Sequence, residues 1–202
     1  MLVGTLETIN AAMLRLKDAA WAVQRDRLGA AASLKRLAPA DSPNSVLVAM
    51  FSLHQALSSL DRLEVRGRDS AGIELVVSGH GLPLHDPQLA DEIASRCEPT
   101  FVSRSLRIEG DNAVFVYKAA FEIGELGDNT AALREAIRTD RLLLQALRNP
   151  SSEVLVLGHT RWASVGIISE PNAHPQCSDE LVGSGPLVTA VLNGDVDNHA
   201  DL

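Results

Sequence analysis

Cysteine is nearly absent from this 202-residue chain: Cys97 and Cys177 stand alone, in no CxxC pair and no cluster of metal-ligating residues. The sequence therefore offers neither a disulfide framework nor a metal centre, and two reduced thiols in a cytosolic protein are the simplest reading. Net positive charge is also missing. At a formal charge of −8 the chain lacks the basic face that a nucleic acid or an anionic membrane requires, although a local basic pocket for a small anion remains compatible. Long apolar runs are missing too: the opening MLVGTLETINAAMLRLKDAAW has no extended apolar core behind a basic stretch, so it reads neither as a signal peptide nor as a membrane span. The expected location is the cytoplasm. There is no internal repeat and no low-complexity run. What is present, 46% hydrophobic and 22% charged residues, suits one soluble domain with a real core and a small appendage.

The apolar spacing predicts a helix over residues 5–37, with Ile9, Met13, Leu16, Ala20 and Val23 at three- and four-residue steps and an interruption expected at Gly29. Asp41 and Ser42 are candidate caps for a second helix, from about Val46 to Leu63, whose apolar face is Val46, Met50, Leu53, Leu57 and Leu60. RGRDSAG (66–72) reads as a loop and IELVVSG as a strand. A helix over 88–97 and a hairpin of strands 105–108 and 113–120 around a GDN turn follow. Asn129 or Thr130 is expected to cap a helix from about Ala131 to Leu147, and EVLVLGHT and PLVTAVLNG read as strands. Helices and hairpins mix without regular βαβ alternation, which predicts an α+β fold.

Three segments are candidates for chemistry. LEVRGRDSAG (63–72) sets Arg66 and two glycines where a helix hands over to a strand, with Asp69 and Ser70 able to fold back on the backbone. On these residues alone, a plain tight connection with a solvated arginine is the simpler reading. HTRWASVG (159–166) places Arg161 beside Trp162 at the carboxyl end of an apolar strand. A guanidinium fork shielded by a ring is a carboxylate clamp; an edge arginine stacked on a core tryptophan is the alternative. Asn193-Gly194 ends another apolar strand. Such a pair is usually a hairpin turn, but it can also aim a side-chain amide and a backbone N–H at one point, the geometry of an oxyanion hole.

Together and in order, these segments resemble the glutamine-hydrolysing domain of the glutamine–fructose-6-phosphate aminotransferase family. That family carries patterns like LEYRGYDSAG, HTRWATHG..SE.NAHP and HNG...N...L; here stand LEVRGRDSAG, HTRWASVG, SEPNAHP (169–175) and LNGDVDNHADL (192–202). Other class II glutamine amidotransferases share RG.DS.G and NG, and the pairing of TRWA with NAHP selects the sugar-phosphate branch. The resemblance implies a partial class II amidotransferase domain over 44–202, with an enlarged middle at 78–130 and a helical extension at 1–40. It implies an Ntn-hydrolase fold, an αββα sandwich of antiparallel sheets. In that family an N-terminal cysteine attacks glutamine, with its own α-amino group as base, and ammonia passes to a sugar-phosphate isomerase domain. It further implies L-glutamine as ligand, no cofactor, no metal and a homo-oligomer. By position, Arg161 would hold the glutamine α-carboxylate with Trp162 as lid, and Ser164 would keep a hydroxyl contact. His174 would brace the pocket, more through a structural hydrogen bond than through chemistry. Asn193 and Gly194 would form the oxyanion hole, and Arg66 would pack beside the nucleophile.

The chain departs from the pattern at Val165 and Leu192, where the family has histidines, and at its start, where Met1-Leu2-Val3-Gly4 replaces Cys-Gly-Ile. The catalytic nucleophile is therefore absent, since Cys97 and Cys177 are internal and have no free α-amine. Three readings follow: an amidotransferase enzyme met as a fragment or from an internal start, inactive as it stands; a non-catalytic glutamine-binding relative; or a class II amidotransferase acting on another substrate.

Overall fold

A computed structural model describes residues 2–97, 102–121, 124–164, 166–178 and 187–198. The chain runs through helices α1 (Leu2–Trp21), α2 (Leu28–Leu37), α3 (Asn44–Leu63), α4 (Pro87–Cys97), α5 (Asp128–Arg138) and α6 (Arg141–Ala146). The strands are β1 (Ser70–Ser78), β2 (Ser105–Glu109), β3 (Asn112–Ala120), β4 (Glu153–Arg161), β5 (Gln176–Cys177) and β6 (Thr189–Ala190). The first four strands form an antiparallel sheet in the order β2-β3-β1-β4, and β5 pairs with β6 separately. The fold is α+β with antiparallel sheets, as expected.

Alternation divides the sheet cleanly. Ala71, Ile73, Leu75 and Val77 of β1 stand opposite Ala119, Tyr117, Phe115 and Ala113 of β3, and all are buried. This face packs under α3, whose predicted stripe Val46, Met50, Leu53, Leu57 and Leu60 is entirely buried. Each such side chain contributes roughly 1.5–3 kcal/mol. Gly158 of β4 keeps the layers close, because a Cβ there would already touch Leu60 at 3.4 Å. The opposite face carries Ser70, Gly72 and Glu74 of β1, Lys118 of β3 and His159 and Arg161 of β4, opposite one another in register. An αββα sandwich needs a second full sheet here; among the described residues this side holds the β5–β6 pair.

The hairpin and the second helix lie where the sequence places them, but several local expectations are corrected. The first helical run is interrupted not at Gly29 but by a π-helical stretch, Ala22–Arg27, and its Ile9–Val23 stripe is exposed. Neither Asp41 nor Ser42 caps α3; Pro43 holds that position, and the Ser42 hydroxyl instead donates to the Pro39 carbonyl at 2.7 Å. β1 begins at Ser70, inside the expected 66–72 loop, because Ser70 and Ala71 already pair with both neighbouring strands. Of the expected strand PLVTAVLNG, Thr189–Ala190 are in a ladder.

The expected 131–147 helix is two helices, and neither Asn129 nor Thr130 caps the first. Gly127, at φ +99, is the cap residue. Its missing side-chain acceptor is supplied by buried Glu64, whose carboxylate takes the N–H groups of Gly127 and Thr130 and suits the positive end of the helix. Asn129 instead donates to the Arg68 carbonyl at 2.7 Å. The run breaks at Asp140, which is extended and caps α6 by accepting from the Leu143 N–H. Asp140 is 2% exposed and also receives a bidentate Arg96 at 2.9 and 2.6 Å and the Tyr117 hydroxyl at 2.7 Å. Burial alone would raise its carboxyl, but the Arg96 and Tyr117 hydrogen bonds outweigh that and hold it below the usual carboxylate range. One carboxylate thus ties α4, β3 and α6 together. Asp140→Ala leaves a buried guanidinium without its partner, and a loss of about 3–5 kcal/mol is expected in urea unfolding.

Candidate functional site

The site grows from the carboxyl end of β4. Val154 and Val156 point to the helical layer, so alternation sends His159 and Arg161 to the other face. There the strand stops, and the 66–69 loop closes on it. Gly67 permits this approach, since a Cβ would lie 3.0 Å from the Arg161 carbonyl carbon and 3.1 Å from Trp162 N. Asp69 then seals the turn: its N–H donates to the Arg161 carbonyl at 3.1 Å, and its carboxylate accepts from Ala163 N–H at 2.8 Å. The aspartate that the sequence marks as able to fold back on the backbone is the clasp between two of the three segments.

The NAHP segment lies across β1. At Gly72 a Cβ would stand 1.9 Å from the His174 carbonyl oxygen and 3.2 Å from Pro175 Cδ, so a side chain is sterically forbidden there. The His174 ring meets His159 edge-on, with centroids 4.5 Å apart at 87°. Nδ1 of His174 is buried without a hydrogen-bond partner among the described residues. Burial first, then the neighbouring His159, Arg161 and Lys118, pulls its pKa down to about 4; burial also lowers His159. His159 Nε2 lies 3.0 Å from the Leu192 carbonyl. A carbonyl can only accept, so that nitrogen carries the proton and tethers the residue preceding Asn193-Gly194 to β4. Across the mouth, the Ser164 hydroxyl donates to Asp195 at 2.8 Å.

These contacts enclose a cavity of about 610 Å³, whose walls include Arg66, Arg161, Trp162, Ser164, His174, Asn193 and Gly194. These seven are the residues to which the resemblance gives a role. Trp162 is 72% exposed at the rim, which removes the alternative of an arginine stacked on a core tryptophan. Asn193-Gly194 lies in a bend, with Gly194 at φ +155, a region that favours glycine, and none of residues 191–198 joins a ladder. Val165 lies outside the described residues. His159 is read in the sequence only as part of the HTRW segment, with no role of its own, and Asp195 and the packing role of Gly72 are not legible there. Their signal is tertiary, a ring-to-carbonyl distance or a forbidden Cβ. A larger groove, about 750 Å³, lies between Arg25–Leu34 and α3, but it gathers none of the three segments.

Comparison with known proteins agrees with the motifs. The chain is 33% identical over 108 residues to a glutamine–fructose-6-phosphate aminotransferase (isomerizing) of Mesorhizobium japonicum, covering 54% of this chain and 16% of the relative. It is 29% identical over 152 residues to that of Corynebacterium diphtheriae, covering 75% and 16%. To that of Treponema pallidum it is 30% identical over 146 residues, covering 72% and 14%. These matches point to a distant relationship with that aminotransferase. The chain spans about a sixth of the length of these curated relatives. No protein-family model and no solved structure matches.

Chemically, the cavity sets two guanidinium-bearing residues near two neutral imidazoles and a side-chain amide. Two further side-chain amides, of Asn172 and Gln176, and the Asp195 carboxylate complete its polar lining. Among the described residues no group of His, Cys, Asp and Glu could hold a metal ion, and no helix is long and apolar enough to cross a membrane.

Three substitutions check the fold and the site. Gly72→Ala forces β1 and the His174 backbone apart and is expected to cost about 1–3 kcal/mol or more in denaturant unfolding. Gly29→Ala, in a helix with open space around it, is expected to gain up to about 1 kcal/mol. His174 takes up its proton near pH 4 when folded but near 6.5 when unfolded. Between those values the unfolded chain binds more protons, so stability falls as pH drops from about 6.5 to 4. In His174→Gln that part of the fall in melting temperature should disappear.

Proposed function

We propose that this cavity is the glutamine pocket of a class II glutamine amidotransferase domain, spanning residues 44–202 behind a helical extension at 1–40. The observation that carries the reading is convergence. Segments near residues 66, 161, 174 and 193, far apart in the chain, supply the walls of a single cavity, and they are the segments in which the family resemblance resides. Arg161 holds the substrate α-carboxylate through its planar fork, Trp162 closes over it, and Ser164 and His174 shape the wall. Asn193 and Gly194 offer amide and backbone donors to the oxyanion of the tetrahedral intermediate, with Arg66 as support. In the complete protein, ammonia so released would pass to a sugar-phosphate isomerase domain and yield glucosamine 6-phosphate. The Ntn-hydrolase sandwich would then be completed by elements beyond those described.

A second reading rests on one further observation: no cysteine lines the cavity among the described residues. On that reading the chain as given binds glutamine without hydrolysing it, whether as part of an enzyme or as a glutamine-binding relative. Titration calorimetry with L-glutamine should show binding by the wild-type chain. Arg161→Ala should weaken it roughly 30- to 1000-fold, the loss of one charge-assisted contact of about 2–4 kcal/mol. Asn193→Ala should leave glutamine binding nearly unchanged, because its partner charge develops only in the transition state. Glutamate release should be undetectable. If Arg161→Ala lowers the melting temperature and leaves glutamine binding intact, the arginine is structural and the assignment fails.

A further inference from the structure

We propose that α1 is an interaction surface for a second copy of this chain, and that two copies associate through their amino-terminal helices as a two-stranded coiled coil. Every residue from Thr5 to Trp21 is exposed. The helix nevertheless carries an apolar seam, Leu6, Ile9, Met13, Leu16, Ala20 and Val23, at alternating three- and four-residue steps. That is the 3.5-residue period by which two helices interlock. Leu6, Ile9, Met13, Leu16 and Val23 are 51–72% exposed. A helix without tertiary packing is marginal in water, so so much apolar surface on one helix calls for a partner.

The chain's own core cannot be that partner. In α2 the apolar positions turn into the domain, where Leu34 and Leu37 join the core. Between the two helices the π-helical stretch Ala22–Arg27 takes in more residues per turn than an α-helix. The seam of α1 is therefore rotated out of line with the face that α2 buries. The next seam position is Arg27, which ends the apolar run.

Three features favour a second copy as occupant. The identical seam matches its own period, as an isologous two-fold contact requires. The helix is nearly neutral, with Glu7, Asp18 and Asp26 against Arg15, Lys17, Arg25 and Arg27, so two copies do not repel there although the whole chain is at −8. The area also suffices. A seam running about 26 Å along the helix and burying these side chains removes on the order of 600 Å² per chain, at the lower end of stable dimers.

The test is sedimentation equilibrium of the full chain. A dimer is expected. Met13→Lys/Leu16→Lys should raise its dissociation constant at least ~100-fold, and Asp18→Ala, on the opposite face, should leave it unchanged. The double variant should keep its cooperative core melt, showing that the domain still folds, while its helicity drops and no longer rises with concentration. A wild-type chain that stays monomeric at ~100 µM, or a dimer that the seam substitutions do not weaken, overturns the proposal.

Discussion

Two backbones cross at Gly72 with no room for a β-carbon, and the candidate site depends on that crossing. The His174 carbonyl sits where a Cβ would be, 1.9 Å away. The NAHP segment can therefore lie directly on the sheet, and the His174 ring reaches His159 on the neighbouring strand. From His159 the connection runs to the Leu192 carbonyl, and so to Asn193 and Gly194. A single missing side chain sets the height of one wall of the cavity above β1. Gly67 does the same for the other wall, against the end of β4.

Positioning and stability come from the same residues here. The segment holding Arg66 also holds Glu64, which caps α5 from a distance, and Asp69, which fixes the turn after Arg161. A change at any of these would shift the cavity even if it never touched a ligand. On the other face of the sheet, Asp140 performs the comparable task through Tyr117. It is a buried acceptor satisfied by Arg96, Tyr117 and a helix N–H. Buried charge is tolerated there because every oxygen has a partner. Both histidines of the site remain neutral at ordinary pH for the opposite reason: burial and nearby cations oppose protonation.

Legibility followed locality. The α3 face, the 105–120 hairpin and β4 were readable because period and turn chemistry are properties of neighbouring residues. Helix caps were misread at Asp41, Ser42, Asn129 and Thr130. Each lay near a helix start, but the Ser42 hydroxyl was taken by the preceding turn and Glu64 arrived from another element. The break at Asp140 was hidden for the same reason. Its partners, Arg96 and Tyr117, are 44 and 23 residues away.

The sequence by itself determined which side chains could do chemistry: an arginine beside a tryptophan, an Asn-Gly pair, a histidine in NAHP and a glycine-flanked Arg66. It also set the α+β composition and the apolar stripe of the first helix, because these depend on residue type and short-range order alone. Only the tertiary structure decided that those residues share one cavity, that the Asn193-Gly194 bend is tied to β4 through the His159 ring and the Leu192 carbonyl, and that the stripe on α1 faces outward. Those outcomes depend on which backbones can approach one another and on where a π-helical stretch turns a helix, distances and rotations that a linear string does not carry.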